Sequence, residues 1–589
     1  MSRGDNRLQS SAADSAIARR LRGPLIRILG WALVVLALSA GVAIRTVRLA
    51  SVPPGLHQDE ACNGYDAYSI LTTGRDQHGN FLPISIEAFE DYRPPLFDYS
   101  LVPLVGALGL EPAVVRLCAA LWGSIDLIAL TALAGLLMGL PGALAASILG
   151  ALSPWHFPYC RFGVAYITAS TFVTMGVLSF FLWLRSRRDG WILLSGALFG
   201  LSFYTSEIIK FVTPFLVLWL GLLYWRELKQ ARTKAMIGVA LIVVLVLPQA
   251  ASLWANSAVR RQYTFTSIFH YMSVHNRNDS FVSRCEYLGT AWLSYFTPSY
   301  LFLRGDSGSH DVVVAPPGRG ELLPEQALLI GLFFLAPLSA RRRKPFLLLM
   351  GWILLAAVPA VLSVPPGIRG VGAHGERWDA GTPIPTIMIQ DRGSDPPLTP
   401  GLLLEHPAAR RDLLAAVPWT LASAMGLVAM LDLVPAGIGF GAAAAGLILT
   451  GAVVHGALNV HSYFRDYPAI AAPYFKYGVE QVIAQIDKSG HDPVAPVIIT
   501  RKINQPYIFV LFFEKYPPAD FQRRVVIHGP GLFAAVFYFD PYYFFPPSSV
   551  YEDFPHGIFV FAGSEPTPVA PHSSIRYPNG TIAYKLVFK

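Results

Sequence analysis

The sequence predicts an all-α polytopic membrane domain of about eleven transmembrane helices, followed by a small C-terminal α/β domain outside the cytoplasm. Composition is the first reason. Of 589 residues, 53% are hydrophobic and only 14% charged, with mean hydropathy +0.45, against about 25% charged in soluble domains. The second is a series of apolar runs near 26–48, 113–138, 143–158, 164–184, 191–204, 211–225, 235–255, 324–340, 345–364, 414–433 and 437–459. The third is a change at about residue 462, where aromatic and polar residues replace the apolar runs.

Residues 1–25 form a polar tail whose Arg19, Arg20 and Arg22 precede the first run. That run lacks a small-residue cleavage site, so it reads as a retained anchor rather than a signal peptide. Arg27, the cluster Arg185–Arg188, the stretch Arg226–Lys234 and the cluster Arg341–Lys344 share one side by parity, the cytoplasm under the positive-inside rule. The loops at about 51–112, 256–323 and 365–413, and everything after about 460, then lie on the opposite face. The net charge of +8 is mostly these clusters, so it points to anionic headgroups and membrane lipids and excludes nucleic acid as a partner. Cys62, Cys118, Cys160 and Cys285 are too scattered for a zinc pattern and read as packing thiols, with a Cys62–Cys285 disulfide the other reading.

The chain therefore divides into a tail (1–25), a transmembrane domain (26–460) and an extracytoplasmic α/β domain (461–589). In the last, Val479, Val482, Ile483 and Ile486 recur at helical spacing. Pro496–Thr500, Ile508–Phe513, Val525–Ile527 and Ile558–Phe561 read as strands bounded by Pro, Gly and Asp. No phosphate-cradling loop or nucleophile elbow occurs there, which favours a structural or acceptor-positioning role. The Gly- and Pro-rich segment 365–402 reads as a lid or an unstructured insertion.

The chemistry concentrates just after the first apolar run, in His57-Gln58-Asp59-Glu60. Two adjacent carboxylates where a helix delivers the chain to a membrane face can serve as a general base or hold a cation, and they can equally be an acidic first helical turn. The loop continues as Tyr65-Asp66-Ala67-Tyr68, Gly74-Arg75-Asp76-Gln77-His78-Gly79, Leu82-Pro83 and Asp91-Tyr92-Arg93-Pro94-Pro95-Leu96, with Val115-Arg116-Leu117 opening the next run. This pattern resembles the first extracytoplasmic loop of bacterial GT-C fold glycosyltransferases of the family 39 type, which include protein O-mannosyltransferases and aminoarabinose transferases. Ser153-Pro154-Trp155-His156 with Arg161, Phe302-Leu303-Arg304-Gly305-Asp306 with His310, and Glu405-His406-Pro407 before Arg410 resemble later segments of the family in the same order.

The resemblance implies a multi-pass protein of the bacterial inner membrane, with its active site facing the periplasm. It implies an inverting glycosyltransferase taking a sugar from a polyprenyl-phosphate donor to a protein Ser/Thr, glycolipid or polysaccharide acceptor. Asp59 is then the base, with Glu60 beside it orienting the acceptor, tuning Asp59 or binding a metal. Arg93 matches the basic residue before the PP pair that contacts lipid phosphate. Arg116, Arg161 and Lys210 are further candidates for donor phosphate, and Tyr65, Asp91, Glu207, Asp306, His406 and Arg410 for substrate contacts. A divalent ion on Asp59 and Glu60 stays open, because oligosaccharyltransferases of the same general fold use one and protein mannosyltransferases do not need it. A lipid or saccharide transporter or flippase, and a non-catalytic membrane subunit, are the alternative functions.

Overall fold

The computed structural model describes residues 4–89, 91–256, 259–260, 267–275, 278–306, 313–362, 409, 412–433, 440–490, 494–528 and 535–589. Among them, seven helices are long and apolar enough to cross a membrane, and four shorter apolar helices accompany them. Each of the eleven apolar runs is mostly helical where it is described. The protein is a multi-pass membrane protein.

Helix α1 (Gly4–Thr46) runs to the loop face, and helix α2 (Gln58–Thr73) follows it on that face. A short antiparallel hairpin, β1 (Ile86–Ala88) and β2 (Asp91–Arg93), pairs Ile86 with Arg93 and Glu87 with Tyr92. Helix α3 (Leu96–Leu108) then packs along α2, and helix α4 (Pro112–Ala151) re-enters the apolar layer. At Gly139 the backbone takes φ 72°, ψ −164°, a conformation open essentially only to glycine, and Pro141 starts a new limb. The second limb folds back on the first, so that a Cβ at Gly150 would stand 2.8 Å from Leu130 and 2.9 Å from Leu127.

Burial ranks the remaining spans. Leu413–Leu433 is 94% buried and forms the centre of the bundle, whereas Arg232–Ala255 is 11% buried and presents Val239, Val243, Val244 and Leu247 outward to lipid. Small residues set the closest approaches, as expected where hydrophobicity itself cannot drive helices together. A Cβ at Gly426 would fall 1.8 Å from the Leu329 carbonyl oxygen, and one at Gly196 would fall 2.5 Å from that of Gly238.

Beyond residue 494 a seven-stranded mixed sheet forms in the order β4-β5-β6-β3-β7-β9-β8. Its strands are β3 (Val497–Ile499), β4 (Val526–His528), β5 (Ala535–Phe539), β6 (Tyr542–Tyr543), β7 (Ile558–Ala562), β8 (Ser573–Arg576) and β9 (Ile582–Phe588). β3 runs parallel to both β6 and β7, and the other pairings are antiparallel. Val479, Val482, Ile483 and Ile486 bury one face of the helix Val479–Lys488, as their spacing predicts.

Residues 508–513, expected as a strand, belong instead to the helix Pro506–Phe513. Pro506 initiates it, and an unbroken apolar run enclosed on all sides fits a buried helix as well as a buried strand. This helix packs against α2, where a Cβ at Gly64 would meet the Phe512 ring at 2.5 Å. The four cysteines are free thiols, with Cys62, Cys118 and Cys160 buried and Cys285 exposed.

Candidate active site

The start of α2 is locked by its own side chains. The His57 ring accepts the Asp59 N–H at 3.2 Å through Nδ1, and Glu60 Oε2 accepts the His57 N–H at 3.0 Å. The positive end of the helix favours negative charge there. The two acids then diverge, since the Asp59 side chain is 44% exposed and that of Glu60 is 0% exposed.

Glu60 meets Arg116 in a two-pronged pair, Nε to Oε1 and Nη2 to Oε2, both 2.9 Å. Oε1 also accepts the Gly163 N–H at 2.9 Å. Burial alone raises the Glu60 pKa, but the charge and hydrogen bonds of Arg116 with the His57 and Gly163 amides hold it below its ordinary value. Arg116 gives its other N–H groups to the carbonyls of Leu49 (3.0 Å), Pro53 (2.7 Å) and Gly55 (2.7 Å). All five guanidinium donors are thereby used, so Arg116 has none for a lipid phosphate, contrary to the sequence expectation.

Glu60 is likewise consumed by structure. Its oxygens already accept four N–H bonds, which does not fit a cation on the Asp59–Glu60 pair, and among the described residues no group of three or more His, Cys, Asp or Glu is placed to hold a metal.

Arg161 is also turned inward. Its Nη1 donates to the carbonyls of Ile44 (2.9 Å) and Arg45 (3.1 Å), Nη2 to that of Val52 (2.8 Å), and the guanidinium lies 4.7 Å from the Phe464 ring centre. With Arg116 it fastens the chain between α1 and α2. A further tie comes from Phe475, whose carbonyl accepts the Leu56 N–H at 2.6 Å. Gly55, at φ +78°, leaves no room for a Cβ, which would stand 2.3 Å from that carbonyl oxygen. A cavity of about 190 Å³ remains in this seam, between Ala50–Leu56 and a wall that includes Lys476, Glu480, Phe509 and Phe513.

Arg93 occupies the other side of α2. Its Nη2 donates to Asp66 Oδ2 at 2.7 Å and to Asp98 Oδ1 at 3.2 Å, while its Nε is buried without a hydrogen-bond partner and the side chain is 21% exposed. Burial works against the charge of this guanidinium, and the carboxylates of Asp98, Asp66 and Asp59 support it. Asp66, wholly buried, accepts the Gln77 N–H at 3.0 Å and its side-chain amide at 3.3 Å. Sequence reasoning missed Asp66 and Asp98 as partners of Arg93, and Gln77 as the partner of Asp66. One signal was present: Asp59, Cys62 and Asp66, at i, i+3 and i+7, lie on one helical face, while Glu60 faces elsewhere.

The other expected residues separate. Tyr65 is buried and donates to the Tyr516 carbonyl at 2.8 Å, a link to the C-terminal domain. Glu207 and Lys210 form an ion pair at 2.9 Å in the turn Glu207–Phe211, near where the Tyr204 carbonyl accepts the Leu96 N–H at 2.8 Å. Asp306 takes the Ala409 N–H at 3.2 Å and gives its own N–H to Glu321 at 2.9 Å, away from α2. Asp91 is placed in β2; His310, His406 and Arg410 lie outside the described residues. Glu87 and Tyr92, on the hairpin face opposite Arg93, line an open cleft of about 550 Å³ that reaches Pro248–Asn256 on the outer end of Arg232–Ala255.

This arrangement matches solved membrane proteins. ArnT from Cupriavidus metallidurans bound to undecaprenyl phosphate superposes with a TM-score of 0.53 at 12% identity, over 95% of this chain and 98% of that one. Its apo form gives 0.52 over the same shares, again at 12% identity. The chain has the GT-C fold. A weaker likeness joins the GT-C chain to the Archaeoglobus fulgidus oligosaccharyltransferase, with a TM-score of 0.48 and 11% identity over 82% of this chain and 61% of that one. The family model of dolichyl-phosphate-mannose-protein mannosyltransferases matches residues 92–251. No curated protein sequence matches the chain.

Proposed function

We propose that the protein is an inverting glycosyltransferase that moves a sugar from a polyprenyl-phosphate donor to an acceptor on the loop face, with Asp59 as general base. One observation carries the reading. Asp59 is the open carboxylate at the positive end of α2 and lies within electrostatic reach of the partly open Arg93, while Glu60, Asp66 and Asp98 are buried and paired. The chemistry follows from those roles: Asp59 takes the acceptor hydroxyl proton, the oxygen attacks the anomeric carbon, and the carbon–phosphate oxygen bond breaks. Arg93 holds the negative charge that collects on the departing lipid phosphate. A single displacement of this kind inverts the anomeric centre and needs one base.

Undecaprenyl phosphate, bound by the similarly folded ArnT, supports a polyprenyl carrier as the donor lipid. In this reading residues 26–460 are the catalytic membrane domain, the tail 1–25 is cytoplasmic, and α2, the hairpin and 461–589 face the periplasm of a bacterial inner membrane. The cleft beside Arg232–Ala255 is the side entrance for lipid.

The test is release of free polyprenyl phosphate from a panel of polyprenyl-phosphate sugars by protein in nanodiscs, with a cell-envelope extract as acceptor and with and without chelator. Asp59→Asn is expected to cut turnover by about 10²–10⁴-fold with donor binding retained, and Arg93→Ala to weaken donor binding. Undiminished turnover in Asp59→Asn removes the base assignment, and failure of the wild type to bind any such lipid removes the transferase reading in favour of a transporter or an inert subunit.

A further inference from the structure

Two carboxylates share one guanidinium beneath the proposed phosphate position. Asp66 is 0% exposed and Asp98 1% exposed, and both accept from the same Arg93 nitrogen. With both ionised, this trio carries a net charge of −1. An anionic phosphate drawn to Arg93 would stand beside two buried negative charges in surroundings that screen poorly, where neutralising a carboxylate costs less than keeping it charged.

We propose that Asp66 is a positioning residue that couples donor binding to proton uptake: as Arg93 turns its Nη2–H from Asp66 to a lipid phosphate oxygen, Asp66 Oδ2 takes one proton from solvent. The inference rests on the reading of Arg93 as the phosphate ligand. The bonds balance, because the donated N–H moves from carboxylate to phosphate and the proton replaces it on Oδ2. Oδ1 keeps the Gln77 N–H bond throughout.

Asp66 rather than Asp98 is the acceptor because more negative groups crowd it. Facing Asp66 are Cys62 on its own helix, Arg93 from the hairpin, Asp98 from α3, Asp76 from the following loop and Tyr507 from Pro506–Phe513, with His78 and Glu87 beyond. Burial pushes the Cys62 thiol and the Tyr507 phenol well above their ordinary ranges, so both stay neutral. Asp76 Oδ1 accepts the backbone N–H groups of His78 (3.0 Å) and Asn80 (2.9 Å). Burial, with Asp98 and Asp76, pushes Asp66 up to about 8 even against Arg93 and the Gln77 amide. Loss of Arg93 to the ligand moves it higher still. Once the phosphate is fully ionised, from about pH 7 upward, its affinity is therefore level to about pH 8 and falls above it, towards tenfold per pH unit.

The probe is undecaprenyl phosphate, titrated calorimetrically into the full-length protein in nanodiscs at about pH 8.5 in two buffers of different ionisation enthalpy. The ligand's own second ionisation, near 6, is complete there. The wild type is expected to take up between about half a proton and one proton per lipid bound; Asp66→Asn takes up none and binds with level affinity from about pH 7.5 to 9.5. No uptake by the wild type overturns the coupling, and this measurement stands even if the variant does not fold. Unchanged uptake in Asp66→Asn overturns the assignment to Asp66. Wild-type affinity in Arg93→Ala overturns the phosphate reading beneath it.

Discussion

Neighbouring residues on a helix point about 100° apart, and at the start of α2 that angle separates two chemistries. Asp59 turns to the open side that Arg93 shares, and Glu60 turns into the protein onto Arg116. Variants of the two are therefore expected to fail differently. Glu60→Ala strands a buried guanidinium and should cost about 3–5 kcal/mol, read as a lower midpoint in thermal or denaturant unfolding, whereas Asp59→Asn leaves that midpoint unchanged while turnover collapses. The pH dependence has a definite sign. The Glu60 pKa in the folded protein lies below its ordinary value of 4.5, so its stabilisation is complete above about pH 4.5 and is lost as pH falls through the lower folded value. Glu60→Gln should flatten that acid limb of the stability profile.

Which acid was buried was hidden in the sequence, because the deciding partner is 56 residues away and the helix cap is a histidine rather than Ser, Thr, Asp or Asn. The Glu at the third helical position was the faint clue, since a reciprocal cap draws it back onto the chain. Arg116 and Arg161 show the converse. A lone arginine at a span end reads equally as a headgroup contact or as a clamp on loop carbonyls, and only the carbonyls, which no side-chain pattern reveals, decide between them.

At the scale of elements the apolar runs were legible because a lipid-facing helix must satisfy every backbone group internally and advertise its length in hydropathy. The break in α4 was legible too, through Gly139 and Pro141. Gly139→Ala should destabilise by about 1–3 kcal/mol, measured by unfolding in mixed micelles. Gly190→Ala is the control, since a Cβ there meets nothing within 4 Å and its helix should be unharmed. The run 508–513 was misread because alternation, the one sign that separates strand from helix in short apolar stretches, is absent where every side is covered. Strands β5, β6, β8 and β9 also went unread, and of these β6 and β8 are only two and four residues long.

Across the whole molecule the soluble end and the first loop are one mechanical unit. Phe475 holds Leu56, Tyr516 holds Tyr65 at 2.8 Å, and Gln522 reaches the Asp76 carbonyl at 2.8 Å. A chain ending at Arg465 is therefore expected to lose donor turnover and to become open to protease between about residues 47 and 60, visible by limited proteolysis and mass spectrometry. Full activity in that truncated chain would show the C-terminal domain to be a detachable acceptor module.

The same seam gives the protein a point of chemical vulnerability. A small rigid compound seated in the cavity of about 190 Å³ between Ala50–Leu56 and Lys476–Gln481 would press on the peptide that leads into Asp59 without entering the place of either substrate. Its inhibition would not be relieved by more donor or more acceptor, and escape mutations would arise at Gly478 or Phe513, far from the reacting atoms, leaving a drug's failure written in the wall of the hinge rather than in the active site.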